Sequence, residues 1–314
     1  RERAEALVGD PRYKPVEERW RLSDDEKLYW KGDTSSDEIT GHFFGYYHYN
    51  MLVAETEEEK KQVQDLVRRV TDYLIAGGFN LKDIDGTHTR WGVWAPEKLF
   101  EDLDWSAETP INCTELLSYL KTASVITSDA KYDRIYRQVA KEKGYLEQAR
   151  APMPNDPALW THIDASLLTL TLHALLLSEE DPNYLEVYRE GVRQWYEEIE
   201  DEDCPLFSFT CGAIADIDID AEACVEFLRD APLDLIEWTV DNSSREDVSL
   251  VRSPELDHWQ LDRLLPPSER AVMRWDKNPW SAVRGFGGQV ESTGVYWLLP
   301  YWMGRYYGFI GAAE

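Results

Sequence analysis

Along this chain, apolar helical runs pass directly into charged ones across short acidic connections. "TSDAKYDRIY" (Thr127–Tyr136) and "SEEDPNYLEVY" (Ser178–Tyr188) each offer a hydroxyl residue, then acids, then two tyrosines four positions apart. "TEEEKKQVQDLV" (Thr56–Val67) has the same opening without the tyrosines. A hydroxyl residue followed closely by acids is a helix-start signal, because its oxygen and the acid satisfy amides that the first turn leaves open. An apolar run leading into an amphipathic one predicts a helical hairpin: one helix buried on all sides, its partner solvated along one face.

The rest of the chain follows the same grammar. Val63, Leu66, Val67, Val70, Tyr73 and Leu74 recur at helical spacing, and Gly77-Gly78 stops that helix. Phe79–Trp94 predicts a β-hairpin turning at Asp85-Gly86. Cys113–Thr127 and Pro157–Leu177 read as apolar helices, each followed by an amphipathic one, at Asp129–Lys143 and Pro182–Glu200. Leu206–Ala215 and Ala221–Arg229 form a shorter pair, Leu233–Thr239 a further helix, and Val295–Ile310 an aromatic helix on both sides of Pro300. Asp241–Ser292, rich in Pro, Gly, Trp and Arg, reads as a long irregular connection. The fold class is all-α, with one small β-hairpin insertion near 79–94.

Composition narrows the partners. With 314 residues and a net charge of -27, the surface repels nucleic acid and anionic membrane; the charge also weighs against a polyanionic substrate, although a local basic pocket is compatible with it. No apolar run approaches the roughly 20 residues that span a bilayer. Cys113, Cys204, Cys211 and Cys224 form no CxxC pair, so buried thiols are the default, with a 204–211 or 211–224 disulfide as the alternative. The six histidines form no HExxH or H-x-H set, so neither a metal nor another cofactor is expected. "GFGGQ" (Gly285–Gln289) lacks the strand and helix that a phosphate loop needs. The start at Arg1 reads as a processed product, which favours a secreted or periplasmic protein over a cytoplasmic one.

The repeated order of inner helix, "T-x-D-x-x-Y" connection and outer helix resembles the (α/α)6 six-hairpin toroid superfamily of carbohydrate-active enzymes, over about Ser35 to Ile310. The resemblance implies one toroidal domain over 1–314, with 1–31 as an extension packed on it. It also implies a cleft lined by the starts of inner helices.

Within that frame, "GDTSSDEITGHFFGYYHYN" (Gly32–Asn50) is the block to explain. Ser35 and Glu38 fit a capping box, and Asp37 suits the helix dipole. Asp33 is surplus to capping, and Gly41 and Gly45 each cost roughly 1 kcal/mol inside a helix unless something approaches closely. His42, Tyr46 and Tyr49 share a stripe, while Phe43, Tyr47 and Asn50 face the packing side. Glycosidic cleavage needs two carboxyls. The expected pair is Asp37 with Asp241, with Asp33 and Glu38 as further candidates; an Asx turn is the alternative role for Asp241. His88, Arg90, Trp91 and Trp94 on the hairpin form either a substrate-binding flap or ordinary packing. His162 and Asp164 open an inner helix, and Asp164 is alternatively a satisfied buried polar group. Trp302 and Arg305 in the closing helix complete the candidate set, and Arg305 is alternatively a structural ion-pair partner.

The expected function is an inverting glycoside hydrolase acting on an oligo- or polysaccharide. One alternative is a polysaccharide lyase in which a Tyr or His base acts on a uronate-containing glycan. The other is a non-catalytic domain that binds glycans or proteins.

Overall fold

A computed structural model describes residues 20–153, 161–252 and 259–311. The chain is mostly helical, 56%, with 11 helices and small antiparallel two-stranded sheets among the described residues. No helix there is long and apolar enough to cross a membrane. Contacts group the chain into two compact units: Arg1–Ala149 with Leu170–Leu185, and Arg150–Thr169 with Glu186–Glu314.

The first unit opens with a hairpin that the sequence did not announce, β1 (Trp20–Leu22) on β2 (Tyr29–Lys31). Helix α1 (Ser36–His48) follows and widens into a π turn at Tyr49–Val53. α2 (Glu57–Ala76) starts on a reciprocal capping box, with Glu59 accepting from the Thr56 amide at 2.9 Å. It ends where Gly78 adopts φ 68°, a left-handed conformation that costs glycine little. The predicted hairpin is present as β3 (Asn80–Lys82) and β4 (His88–Val93), with Gly86 at φ 81° in its turn. After α3 (Pro96–Glu101) comes α4 (Thr109–Thr127), buried on nearly every face and packed against α1, α2, α3, α5 (Ala130–Glu142) and α6 (Tyr145–Gln148).

The tyrosine repeat has a structural meaning in this unit. Tyr132 donates to Asp72 Oδ1 at 2.9 Å, and Tyr136 donates to Glu179. Glu179 also pairs with Lys121 at 2.9 Å and accepts from the Glu180 and Asp181 amides. An acid in one hairpin connection is thereby tied to a tyrosine of the preceding outer helix. Each buried hydroxyl and carboxylate gains the partner that burial demands.

Helices α7 (His162–Ser178) and α8 (Pro182–Glu197) divide their residues between the units. The start of the predicted Pro157–Leu177 helix, Trp160 included, lies outside the described residues.

The second unit is centred on α9 (Pro205–Ala215), against which α10 (Ala221–Asp230) and α11 (Val295–Tyr306) pack. Phe209, Cys224 and Leu228 form its core with Trp297, Tyr301 and Phe309 around them. A Cβ on Gly304 would sit 2.7 Å from both Ile310 and Phe209, so this glycine permits the close approach of α9 and α11. α11 runs through Pro300, as the sequence suggested.

The predicted helix at Leu233–Thr239 is corrected. This segment is extended and pairs with residues 283–292. Ile236 bridges Glu291, the Glu237 amide donates to Val290 O at 2.8 Å, and β5 (Val240–Asp241) pairs with β8 (Val283–Arg284). Seven residues after a proline carry too few turns to nucleate a helix, and the strand-like partner lies far along the chain. The long irregular connection also carries a second ribbon, β6 (Leu250–Arg252) on β7 (Trp259–Leu261).

Candidate functional site

The opening block of α1 is largely scaffolding. Glu38 accepts from the Ser35 amide at 2.6 Å and from Lys31. Burial alone would raise its pKa, but Lys31 and the Ser35 amide outweigh that and hold it below the usual range. Glu38 is therefore ionised and engaged, which suits a cap and not a general acid. Asp33 sits at φ 51° and accepts from the Arg90 amide at 2.8 Å, with the Arg90 guanidinium 3.5 Å away. It latches the helix entry to strand β4. Asp37 is exposed and accepts from the Ser35 hydroxyl.

Gly41 and Gly45 are not sites where another helix closes in among the described residues: an added Cβ meets nothing within 4 Å at either. His42 stacks on Tyr46 with ring centroids 5.6 Å apart, while Tyr49 belongs to the π turn. Phe43 and Tyr47 are buried, as their stripe predicted.

On the hairpin, His88 contacts the Thr89 carbonyl at 2.7 Å and meets Trp105 edge-on. Trp91 is half-buried. Trp94 is corrected as a stacking surface for ligand: it is fully buried, and its indole donates to Glu115 Oε2 at 2.7 Å. Glu115 also accepts from Thr40 at 2.9 Å, and Thr40 lies 2.6 Å from the Tyr119 hydroxyl. This buried carboxylate went unnoticed in the sequence because it lies within an apolar helical run.

In the second unit, Asp241 accepts from the Ser243 amide and hydroxyl at 2.9 and 2.6 Å, the Asx turn given as its alternative role. Those bonds lower its pKa. Asp37 belongs to the first unit and Asp241 to the second. Thr161 donates to Asp164 at 3.0 Å at the start of α7, and His162 Nε2 lies 2.6 Å from Glu202, both residues buried. Trp302 is 61% exposed, and Arg305 donates to the Gly311 carbonyl just past its own helix. All four cysteines are free thiols; burial pushes Cys204 and Cys224 up to about 12, and Cys113 and Cys211 well above the ordinary value.

A well-formed concavity of the second unit lies among residues absent from the sequence-based candidate set. A cavity of about 350 Å³ opens between the end of α10, the 234–240 segment, the 268–286 chain and the start of α11. That volume lies in the range of small-molecule sites, about 300–1,000 Å³. Trp238, Phe286, Tyr296 and Trp297 supply ring surfaces. Glu237 and Asp234 line it with Arg270, Arg274, Lys277 and Arg284.

Glu237 is held firmly at this wall. Its carbonyl accepts from the Phe286 and Gly288 amides at 3.1 Å each, and its own amide is bound to Val290. Its carboxylate accepts from Ser292 Oγ at 2.5 Å and lies 3.4 Å from Arg274 Nη1. Arg274 is itself fixed by a two-point pair with Asp276, at 3.0 and 2.9 Å, and lies over the Tyr296 ring at 5.0 Å. Burial raises the Tyr296 pKa, so that phenol stays protonated. Asp234 accepts from the Trp238 indole at 2.8 Å and from the Ile236 amide, bonds that hold it below the usual carboxylate range and set the Trp238 ring.

"GFGGQ" is the clamp of this wall. A Cβ on Gly288 would lie 2.5 Å from the Trp238 ring, and one on Gly285, at φ 127°, would strike the Trp238 carbonyl. The Phe286, Gly287 and Gly288 amides donate to Glu237 O, Thr239 Oγ1 and Glu237 O, so they hold the strand and do not form a phosphate nest. No glycine-rich motif scan finds this role, because the atoms that demand glycine come from residues almost fifty positions away.

No protein family, curated protein or solved structure matches this chain.

Proposed function

We propose that the protein is a carbohydrate-active hydrolase, and that it holds its saccharide in the cavity of the second unit with Glu237 as the reacting carboxylate. One observation carries this reading: a cavity of about 350 Å³ in which aromatic faces alternate with fixed hydrogen-bonding groups, Glu237, Ser292 and Arg274. A sugar ring presents C–H faces to aromatic surfaces and hydroxyls to polar groups, and such a wall matches both. The catalytic pair first expected, Asp37 with Asp241, gives way in this proposal, because neither acid lines the cavity. The toroidal ordering of the helical hairpins remains part of the proposal, supported by the tie of Tyr136 to Glu179 in the next hairpin connection.

The test is an oligosaccharide panel read for binding and for new reducing ends. Glu237→Gln is expected to retain binding and lose turnover by about 100-fold or more, whereas Asp37→Asn keeps activity. Full turnover by Glu237→Gln removes Glu237 from the mechanism. Binding without any turnover by the unmodified protein favours the non-catalytic reading, and an unsaturated product favours the lyase.

A further inference from the structure

The chain carries 60 acids against 33 bases, so a typical arginine here has carboxylates to choose from. Two arginines lining the cavity lack one. Arg284 forms no ion pair among the described residues. Among the described residues Arg270 bonds only carbonyls, Leu265 O at 2.7 Å and Glu202 O at 3.5 Å, and it lies over the Phe227 ring at 4.8 Å. Burial lowers the Arg270 pKa, and the nearby acids Glu202, Asp203 and Asp230 only partly offset this through space. The cavity wall as a whole has four cations and two carboxylates, and Asp276 behind it neutralises one cation more. In a protein of charge -27, an arginine at a cavity wall with no acid paired to it focuses the field toward an incoming anion.

We infer that the cavity recognises a ring ligand bearing a single carboxylate, with Arg284 and Arg270 as its counter-ions. The inference rests on the saccharide reading for the ring, and in that reading the ligand is a uronate-containing oligosaccharide. The division of labour is physical. Glu237 and Ser292 meet hydroxyls, the rings meet C–H faces, and the guanidinium of Arg284 takes the carboxylate, a geometry that arginine satisfies with two parallel bonds. Arg274 is less suited to this task, since Asp276 already occupies its Nε and Nη2 edge.

The experiment titrates the full chain, by tryptophan fluorescence and calorimetry, with three probes: an oligogalacturonide, the same oligomer with its carboxyls reduced to alcohols, and a simple aromatic carboxylate. The oligogalacturonide is expected to bind at least 10-fold more tightly than its reduced form, with an advantage that shrinks as salt rises. Arg284→Gln should lower oligogalacturonide affinity about 10- to 100-fold, leave the reduced oligomer within about 2-fold, and be partly rescued by Arg284→Lys. The Arg284 side chain lies on a two-residue edge pairing with Val240, so the swap spares the backbone bonds, and circular dichroism checks the fold.

Equal binding of both oligomers overturns the anion inference and leaves the saccharide reading standing. Binding of the aromatic carboxylate alone, lost in Arg284→Gln, supports the anion site and overturns the saccharide reading. Binding of none of the probes overturns both.

Discussion

Buried ionisable side chains set the most specific expectations at the scale of single residues. His173 in α7 stacks on His48 with centroids 4.9 Å apart, and Phe44 lies beside both rings. Burial, helped by the neighbouring His48, lowers the His173 pKa from 6.5 to about 3, and burial also lowers that of His48. Between pH 6.5 and about 3 the unfolded chain binds a proton that folded His173 refuses. Stability therefore falls on acidification, by on the order of 1 kcal/mol per pH unit for this group. Thermal unfolding at pH 7 and pH 5 should show that loss, and His173→Phe should flatten it. Glu179 gives a second residue-scale prediction. Its side chain is 1% exposed and its partner Lys121 is 8% exposed. Glu179→Gln leaves a buried ammonium uncompensated and should cost about 3–5 kcal/mol in denaturant unfolding. The sequence showed Glu179 only as one acid in an acidic connection; its exceptional burial depends on Lys121, 58 residues away.

Glycines separate what was readable from what was not at the scale of elements. Gly41 and Gly45 look like close-approach positions by spacing, yet both face open space. Gly304 carries a similar sequence context of rings and is wedged against Phe209 and Ile310. Alanine at 41 or 45 should stabilise the fold by roughly 0.5–1 kcal/mol each, through helix propensity alone. Alanine at 304 should destabilise it by roughly 1–3 kcal/mol through overpacking. Chemical denaturation of the three variants checks both signs, and a loss at Gly41 or Gly45 would restore the idea that something approaches α1. Helix starts, the Gly77-Gly78 stop and the 79–94 hairpin were legible because capping, left-handed glycine and turn chemistry act within four residues. The 233–239 segment was not, because its conformation is fixed by hydrogen bonds to residues 283–292.

Charge dominates at the scale of the whole molecule. A net charge of -27 opposes compaction by self-repulsion. Raising sodium chloride from about 20 mM to 0.5 M shortens the screening length from roughly 20 Å to 4 Å, so the unfolding temperature should rise by a few degrees. A fall would mean that ion pairs such as Lys121–Glu179 and Arg274–Asp276 outweigh the repulsion. If the proposed anion site operates, the same salt increase weakens its ligand, so stability and affinity are expected to respond in opposite directions.

By itself the sequence determined the helical class, most helix positions, the capping of α1 and α2, the 79–94 hairpin and the acidic surface. All of these follow from periodicity and from interactions within a turn. The candidate site was legible only as residue types: acids, rings and arginines. Tertiary structure decided which of them are free to act. It committed Asp33, Glu38 and Trp94 to the scaffold and set Glu237 against Ser292, 55 positions away. It also left Arg284, among the described residues, without an acid partner at the cavity wall. Burial and long-range partners set the chemistry of an ionisable group, and neither is encoded in the spacing of its neighbours along the chain.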